Sequence, residues 1–396
     1  MGNHKNSIAT GNNKFVKKIA IIGSRGYIDK SFNLSSNDLF NKSGGNLGNL
    51  AFWYATDLHI KAEKEFFSWH CDPKFISENF DLLVFPAANQ IGPHANMSLL
   101  AKLFEKIEIP IVVVGLGSQA PSCSHKIEIP EDTKRWLKII SEKTTTIGIR
   151  GSYTASILEN LGISNYAIIG CPSLFLSSDI HLGQSIQTKF EQILYKKDLG
   201  KVCITAGHPK WHHLRALEHK LFNLFRDNLQ AYVCQAPIEL VQAARTDHFC
   251  DLDEDTKTII EAFLSHDHHK SRMIDFLKKS VIFPNAEAWM EYMVSFTLSI
   301  GTRFHGNMFP LQVGVPAICI PHDSRLEELT TSTLFPVANY KTILKCNNIY
   351  EIIELINFDG EIFDQNRKIL AAKYWKILDE NNILVDPQLL KLVGKC

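Results

Sequence analysis

The sequence predicts an α/β protein built from two parallel-sheet halves that face each other across a cleft. Three observations predict it. Short apolar runs of strand length alternate with helical stretches along most of the chain, which is the pattern of successive βαβ units. The chain has 396 residues, enough for two ordinary domains, and the alternation starts twice, near Lys17 and again near Lys201. Arg150 and Arg303 each fall where a strand hands over to a helix, the edge at which open α/β sheets bind ligands. Together these describe two Rossmann-like domains.

In chain order, Met1 to Lys14 is polar and reads as a disordered tail. Lys17 to Ser24 reads as a buried first strand ending at Gly23. The turn after it, Gly23-Ser24-Arg25-Gly26, lacks the full Gly-x-Gly-x-x-Gly spacing of a dinucleotide site. Lys42 to Leu50 is a glycine-rich loop leading into a helix over Leu50 to His59. Such a loop can wrap a phosphate or a sugar, or simply turn. Asp81 to Pro86 and Ile109 to Val114 read as strands, with a helix over Leu99 to Ile107 between them. Ser118 and Gln119 then lie on the loop over the strand edge, as sugar contacts or as loop polars bonded to backbone and water.

A helix over Glu131 to Lys143 precedes a strand over Thr146 to Arg150. Ser152 is the expected N-cap of a helix running from Tyr153 to Leu161, which Gly162 closes. Tyr166 to Ile169 is the last strand of this half. Cys171, with no base near it in sequence, reads as a packed thiol. The second half is expected to place strands at Lys201 to Thr205, Ala231 to Ala236, Val281 to Pro284, Val294 to Ile300 and Ala317 to Ile320. A helix over Glu287 to Met293 leads into Val294, and one over Asp364 to Leu378 is expected to pack back on the core. The resulting domain plan is tail 1–14, N-terminal domain 15–178, linker 179–200, C-terminal domain 201–360 and a C-terminal helical segment 361–396.

Composition narrows the function. Lys plus Arg equals Asp plus Glu, 42 each, so general nucleic-acid binding is not expected and anion binding is left to local pockets. Nine cysteines without a Cys-x-x-Cys pair suit free thiols in a reducing compartment. The first residues lack the apolar core of a signal peptide, and no run approaches the length of a membrane helix. We therefore expect a cytoplasmic protein. Histidines at 208, 212, 213 and 219, and again at 266, 268 and 269, lack the spacing of a zinc motif, so no metal is expected.

The chemistry concentrates at Gly301-Thr302-Arg303-Phe304-His305-Gly306. Arg303 offers a planar fork of donors suited to carboxylate or phosphate, and His305 can bind an anion or move a proton. The helix start beside them adds free N–H groups. An Arg and a His capping a buried turn is the other reading of the same residues.

This run resembles the signature of the polysaccharide pyruvyl transferase family. Ile149-Arg150-Gly151-Ser152-Tyr153-Thr154 with Gly170-Cys171-Pro172-Ser173, and His322-Asp323-Ser324-Arg325-Leu326-Glu327-Glu328, are similar to it as well. Gly44-Gly45-Asn46-Leu47-Gly48-Asn49 is a weaker likeness, with Asn49 where the family often has Asp, so a carboxylate base is not expected there. The resemblance implies a GT-B-like fold and transfer of pyruvate from phosphoenolpyruvate to a sugar of a cell-surface polysaccharide or of its lipid-linked precursor. The products are a pyruvate ketal and phosphate. It implies a phosphoenolpyruvate site at Arg150, Arg303, Phe304 and His305, with His305 as the catalytic acid or a phosphate ligand and no cofactor. The N-terminal domain becomes the acceptor side and the C-terminal domain the phosphoenolpyruvate side.

Candidate acceptor contacts are Asn46, Asn49, Ser118, Gln119, Asp323 and Glu327; the last two could equally orient Arg325. Expected partners are phosphoenolpyruvate and a saccharide, with peripheral contact at the inner face of a membrane if the acceptor is lipid-linked. The alternatives are a nucleotide-sugar glycosyltransferase on the same fold, and a catalytically silent carbohydrate-binding protein of a polysaccharide assembly system.

Overall fold

The computed structural model describes residues 15–246, 248–264 and 270–395. The expected tail and the histidines at 266, 268 and 269 lie outside the described residues. Eleven strands are present among the described residues, and all the ladders between them are parallel.

In the first half, β1 (Lys18–Ile22), β2 (Glu63–Phe67), β3 (Leu82–Pro86) and β4 (Ile111–Val114) pair in the order β2-β1-β3-β4. A bridge from Leu116 to Ile149 carries the sheet on to β5 (Ile147–Ile149) and β6 (Tyr166–Ile168). In the second half, β7 (Val202–Thr205), β8 (Leu229–Val233), β9 (Ser280–Val281), β10 (Leu298–Gly301) and β11 (Ala317–Cys319) pair in the order β11-β10-β7-β8-β9. β3, β4, β7 and β10 are buried along their lengths, and β1 from Ile19 on, as in parallel sheets covered on both faces. The architecture is α/β, with the two parallel, Rossmann-like sheets expected from the sequence.

Three details differ from the sequence reading. β2 was not expected. As an edge strand it pairs only with β1, so its outward Glu63 and Glu65 stay wet. Val294 to Ile300 is not one strand. The helix Ala286–Met293 runs up to Val294, which is 57% exposed, and the strand begins only at Leu298. Ser152 is not the N-cap of its helix. The helix spans Ser152–Asn160, and Gly151 caps it with extended backbone and no side-chain bond.

The missing cap comes from the other half. Glu328, on the helix Ser324–Thr333, accepts from Thr154 N at 2.6 Å and from Thr154 Oγ1 at 2.9 Å. Gly151 permits the approach, since a Cβ there would fall 2.5 Å from Glu328 Cγ. The same helix docks on the loop after β4. Ala120 N donates to Ser324 Oγ at 2.8 Å, Ser324 N donates to Ala120 O at 3.1 Å, and Cys123 N donates to Glu327 Oε2 at 2.9 Å. The halves are also tied through the 21-residue helix Gly360–Glu380, which packs on the helix Leu182–Lys196 and touches β4, β5 and β6. From it, buried Arg367 donates to the carbonyls of Leu174, Ser177 and Asp179 in the connecting segment. No helix among the described residues is long and apolar enough to cross a membrane.

Candidate active site

The C-terminal edges of both sheets meet around a polar pocket lined by Arg150, Gln235, Thr302, Arg303, His305 and Arg325, among others. β10 ends at Gly301, and the helix Phe304–Gln312 begins three residues later. Buried Asn307 fixes that turn. Its Nδ2 donates to Gly301 O at 3.1 Å, to Arg303 O at 3.0 Å and to Thr205 Oγ1 at 3.2 Å, and its Oδ1 accepts from Ser299 Oγ. One buried amide thus sets where Arg303 and His305 point. Gly48 lets the glycine-rich loop close over them: a Cβ there would stand 2.4 Å from Gln235 Oε1 and 3.4 Å from His305 Cβ.

The two arginines predicted as equivalent clamps are in different states. Arg303 donates from Nε to Ala206 O at 3.0 Å, and from Nη2 to Ala236 O at 2.6 Å and Gly207 O at 3.4 Å. None of these bonds uses its Nη1. Arg150 is 4% exposed, and its Nε and Nη2 have no partner among the described residues. Gly117 makes room for it, because a Cβ there would lie 2.5 Å from Arg150 Cδ. Gln235 Nε2 and Thr302 Oγ1 are likewise buried and unpartnered. Burial pushes both guanidinium pKa values down, that of Arg303 to about 10.

His305 keeps some exposed surface, but the loss of hydration around its ring, and then the charges of Arg150 and Arg325, push its pKa down to about 3. The imidazole is neutral in the ligand-free protein. Its Nε2 lies 3.4 Å from Cys171 Sγ, which in turn accepts from Ser173 Oγ at 3.1 Å. Cys171 is buried, as expected of a packed thiol, but a base does stand beside it, from 134 residues away. Phe304 closes the pocket floor, its ring 5.5 Å from that of His305.

Asn46 and Asn49 line the pocket. Asn46 Oδ1 accepts from Gly48 N, and Asn49 Nδ2 donates to Ser43 O. Ser118 is buried against Thr154 and does not line it. Gln119 accepts from Asn89, a lining residue, and reaches Asp323 at 3.5 Å. Asp323 caps the helix Ser324–Thr333 through Leu326 N and pairs with Arg325 at 2.8 Å. Burial opposes its charge, but Arg325, His322 and the Leu326 amide hold its pKa below the usual carboxylate range. Glu327 is engaged by the Cys123 amide outside the pocket.

Sequence reasoning gave no role to Gln235 or Glu218. Gln235 follows β8, and the strand-edge rule that found Arg150 could have found it. Glu218, buried behind Arg303, has its pKa raised to about 7 by burial, against the bond from Tyr232 and the charge of Arg303. His208 and His213 stack on Trp211, which meets His322 edge-on at 4.9 Å. Among the described residues no group of His, Cys, Asp or Glu is placed to hold a metal ion.

Among solved structures, UDP-N-acetylglucosamine 2-epimerase from Rickettsia bellii is 12% identical, with 93% of this chain and 97% of that chain covered and a TM-score of 0.46. UDP-GlcNAc 2-epimerase from Methanocaldococcus jannaschii, in complex with UDP-GlcNAc and UDP, gives 11%, 91% and 99%, and a TM-score of 0.43. A glycosyltransferase from Rickettsia africae gives 10%, 96% and 94%, and a TM-score of 0.38. No curated protein sequence matches significantly. The family profile described as polysaccharide pyruvyl transferase matches residues 20–324, a span that runs from β1 through the arginine pocket to the helix start at Ser324. The chain therefore belongs to the polysaccharide pyruvyl transferase family, a family of transferases.

Proposed function

We propose that the protein transfers pyruvate from phosphoenolpyruvate to two hydroxyls of one sugar, forming a cyclic ketal and releasing phosphate. One observation carries the reading: donors of Arg150, Gln235 and Thr302 are buried in one pocket with no protein acceptor. Buried donors without partners cost stability, and an anion with several oxygens would satisfy them together. Phosphoenolpyruvate carries both a carboxylate and a phosphate. Arg150 and Nη1 of Arg303 would hold these groups, with Arg325 adding charge at the rim.

In this reading His305 gives its proton to the methylene carbon of the donor, and positive charge develops at the central carbon. A sugar hydroxyl attacks that carbon and loses its proton. The carbon–oxygen bond to phosphate then breaks, a second hydroxyl closes the ring, and its proton is released. Asn46, Asn49 and Asn89 would face the sugar, while Ser118, Asp323 and Glu327 would act only through their neighbours. The donor is a substrate and no cofactor takes part. The acceptor could be free or lipid-linked, the latter bringing the protein to the inner face of a membrane.

The test incubates the protein with phosphoenolpyruvate, or with UDP-sugars, and a panel of glycan acceptors. Phosphate release only with phosphoenolpyruvate and an acceptor is expected, and saturating EDTA should leave it unchanged. UDP release would instead make the protein a glycosyltransferase. Absence of phosphoenolpyruvate binding by calorimetry would refute the donor assignment.

A further inference from the structure

Beside the arginine pocket lies a larger cavity of about 750 Å³, at the C-terminal edges of β1, β2 and β3. Asn49, Ala88 and Asn89 line both, so a molecule can run from one into the other. The chemistry changes along the way. The arginine pocket is cationic. The larger cavity has aromatic walls, including Trp53, Phe66 and Trp69, with the amides of Asn41, Asn89 and Gln90 set among them. Lys42 and His70, both exposed, are its only lining residues with ionisable side chains.

The rings are held in place. A Cβ on Gly23 would fall 2.6 Å from Trp53 Nε1, so the indole lies down on the tip of β1. Phe52 bridges Trp53 to the catalytic end, its ring 5.6 Å from the indole and 5.7 Å from the His305 imidazole. Arg25 stacks over Phe66 at 5.3 Å, and Trp69 packs edge-on to Phe85.

We propose that this cavity is the acceptor subsite, and that it takes the neutral sugar residues joined to the one being modified, so that the acceptor recognised is an oligosaccharide and not a single sugar. The proposal rests on the pyruvyl-transfer reading. A pyranose has apolar C–H faces and a rim of hydroxyls, which match aromatic rings with amides between them. Asn89 Nδ2 is engaged by Gln119 and Gln90 Oε1 by the Ala88 amide, but a polyprenyl chain would cover the Asn41 amide, Asn89 Oδ1 and Gln90 Nε2 and offer them no partner. A diphosphate would meet only the exposed cations Lys42 and Arg25, the second already stacked on Phe66. The volume lies in the range that holds a drug-sized ligand, larger than one sugar ring.

The test uses the full chain and an array of neutral glycans of one to four residues, followed by calorimetry on the best binder and on its terminal monosaccharide. The oligosaccharide should bind at least about tenfold tighter than the monosaccharide, and Trp69→Ala should remove about tenfold of its affinity. Phosphoenolpyruvate should bind Trp69→Ala as it binds the native chain, which also reports that the variant folds; Trp53→Ala is the second variant. Binding of no neutral glycan, preference for vesicles carrying polyprenyl phosphate, or unchanged glycan affinity in Trp69→Ala would each overturn the subsite. Failure of the donor reading looks different: phosphoenolpyruvate would not bind, whatever the glycans do.

Discussion

Replacing His305 with Gln should change how donor binding depends on pH, and the size of the change follows from the site. Burial and two arginines hold the imidazole at a pKa of about 3 before the donor binds. A phosphate or carboxylate charge about 4 Å away, at an effective dielectric constant of about 20, contributes about 4 kcal/mol, or about three pKa units. The bound pKa should then be about 6. Between these two values the complex holds a proton that the free protein does not, so binding takes up a proton and tightens as pH falls. At pH 6 the uptake should be about half a proton per site, and from pH 8 to pH 5 the affinity should rise about tenfold from this group alone. Phosphoenolpyruvate titrates in the same range, so the measured quantity is the difference between native protein and His305→Gln. Calorimetry at pH 6 in buffers of different ionisation enthalpy counts the protons directly. Gln keeps a hydrogen-bond donor, so binding at pH 8 should survive, while turnover should fall by about two to four powers of ten. Equal proton uptake by the two proteins, or normal turnover in His305→Gln, would remove the acid role and leave His305 as a binding residue.

Arg150→Lys should weaken phosphoenolpyruvate binding by about 1 to 3 kcal/mol without loss of melting temperature, because its Nε and Nη2 have no partner to lose among the described residues. Arg303→Lys should lower both, because three backbone carbonyls depend on its fork; identical behaviour of the two variants in calorimetry and thermal unfolding would contradict the asymmetry. Glu328→Ala strips the helix at Thr154 of its cap from the opposite half, and urea unfolding should show a loss of about 1 to 2 kcal/mol. Glu218 ionises in the unfolded chain near the ordinary glutamate value of 4.5 but in the fold only at about 7, so its contribution is present below 4.5 and is lost as pH rises through about 7. Glu218→Gln should abolish that fall, which is at most about 3 kcal/mol, as measured by denaturation at pH 5 and pH 8.

The sequence made the buried strands legible because helices cover both faces, which leaves unbroken runs such as Ile111 to Val114. It hid β2, whose charged outer positions look like loop, and it blurred Val294, whose apolar side chain belongs to a helix end. Within the site, Arg150, Arg303 and His305 could be read from local order, since each follows a strand tip closely. What could not be read was how their donors are occupied. The carbonyls that engage Arg303 lie 67 to 97 residues away in the chain, and Cys171 meets His305 across 134. Glu327 and Glu328 are adjacent in sequence, yet one binds a loop amide and the other caps a helix of the opposite half. Only the fold decides such partners.

Those partners also fix the charge the pocket offers. Three guanidinium groups converge there, and the nearby carboxylates are largely committed elsewhere. Asp323 is held by Arg325, Glu328 is spent on Thr154, and Glu218 titrates near neutrality behind Arg303. The pocket therefore keeps a net positive charge although the chain as a whole is balanced at 42 against 42. A singly charged ligand would leave much of that repulsion in place. A ligand with a carboxylate and a phosphate would cancel it, lift the pKa of His305 into the range where it can deliver a proton, and do so only once bound. In that arrangement the donor switches on its own acid, and the neutral, aromatic cavity next door is left to the sugar.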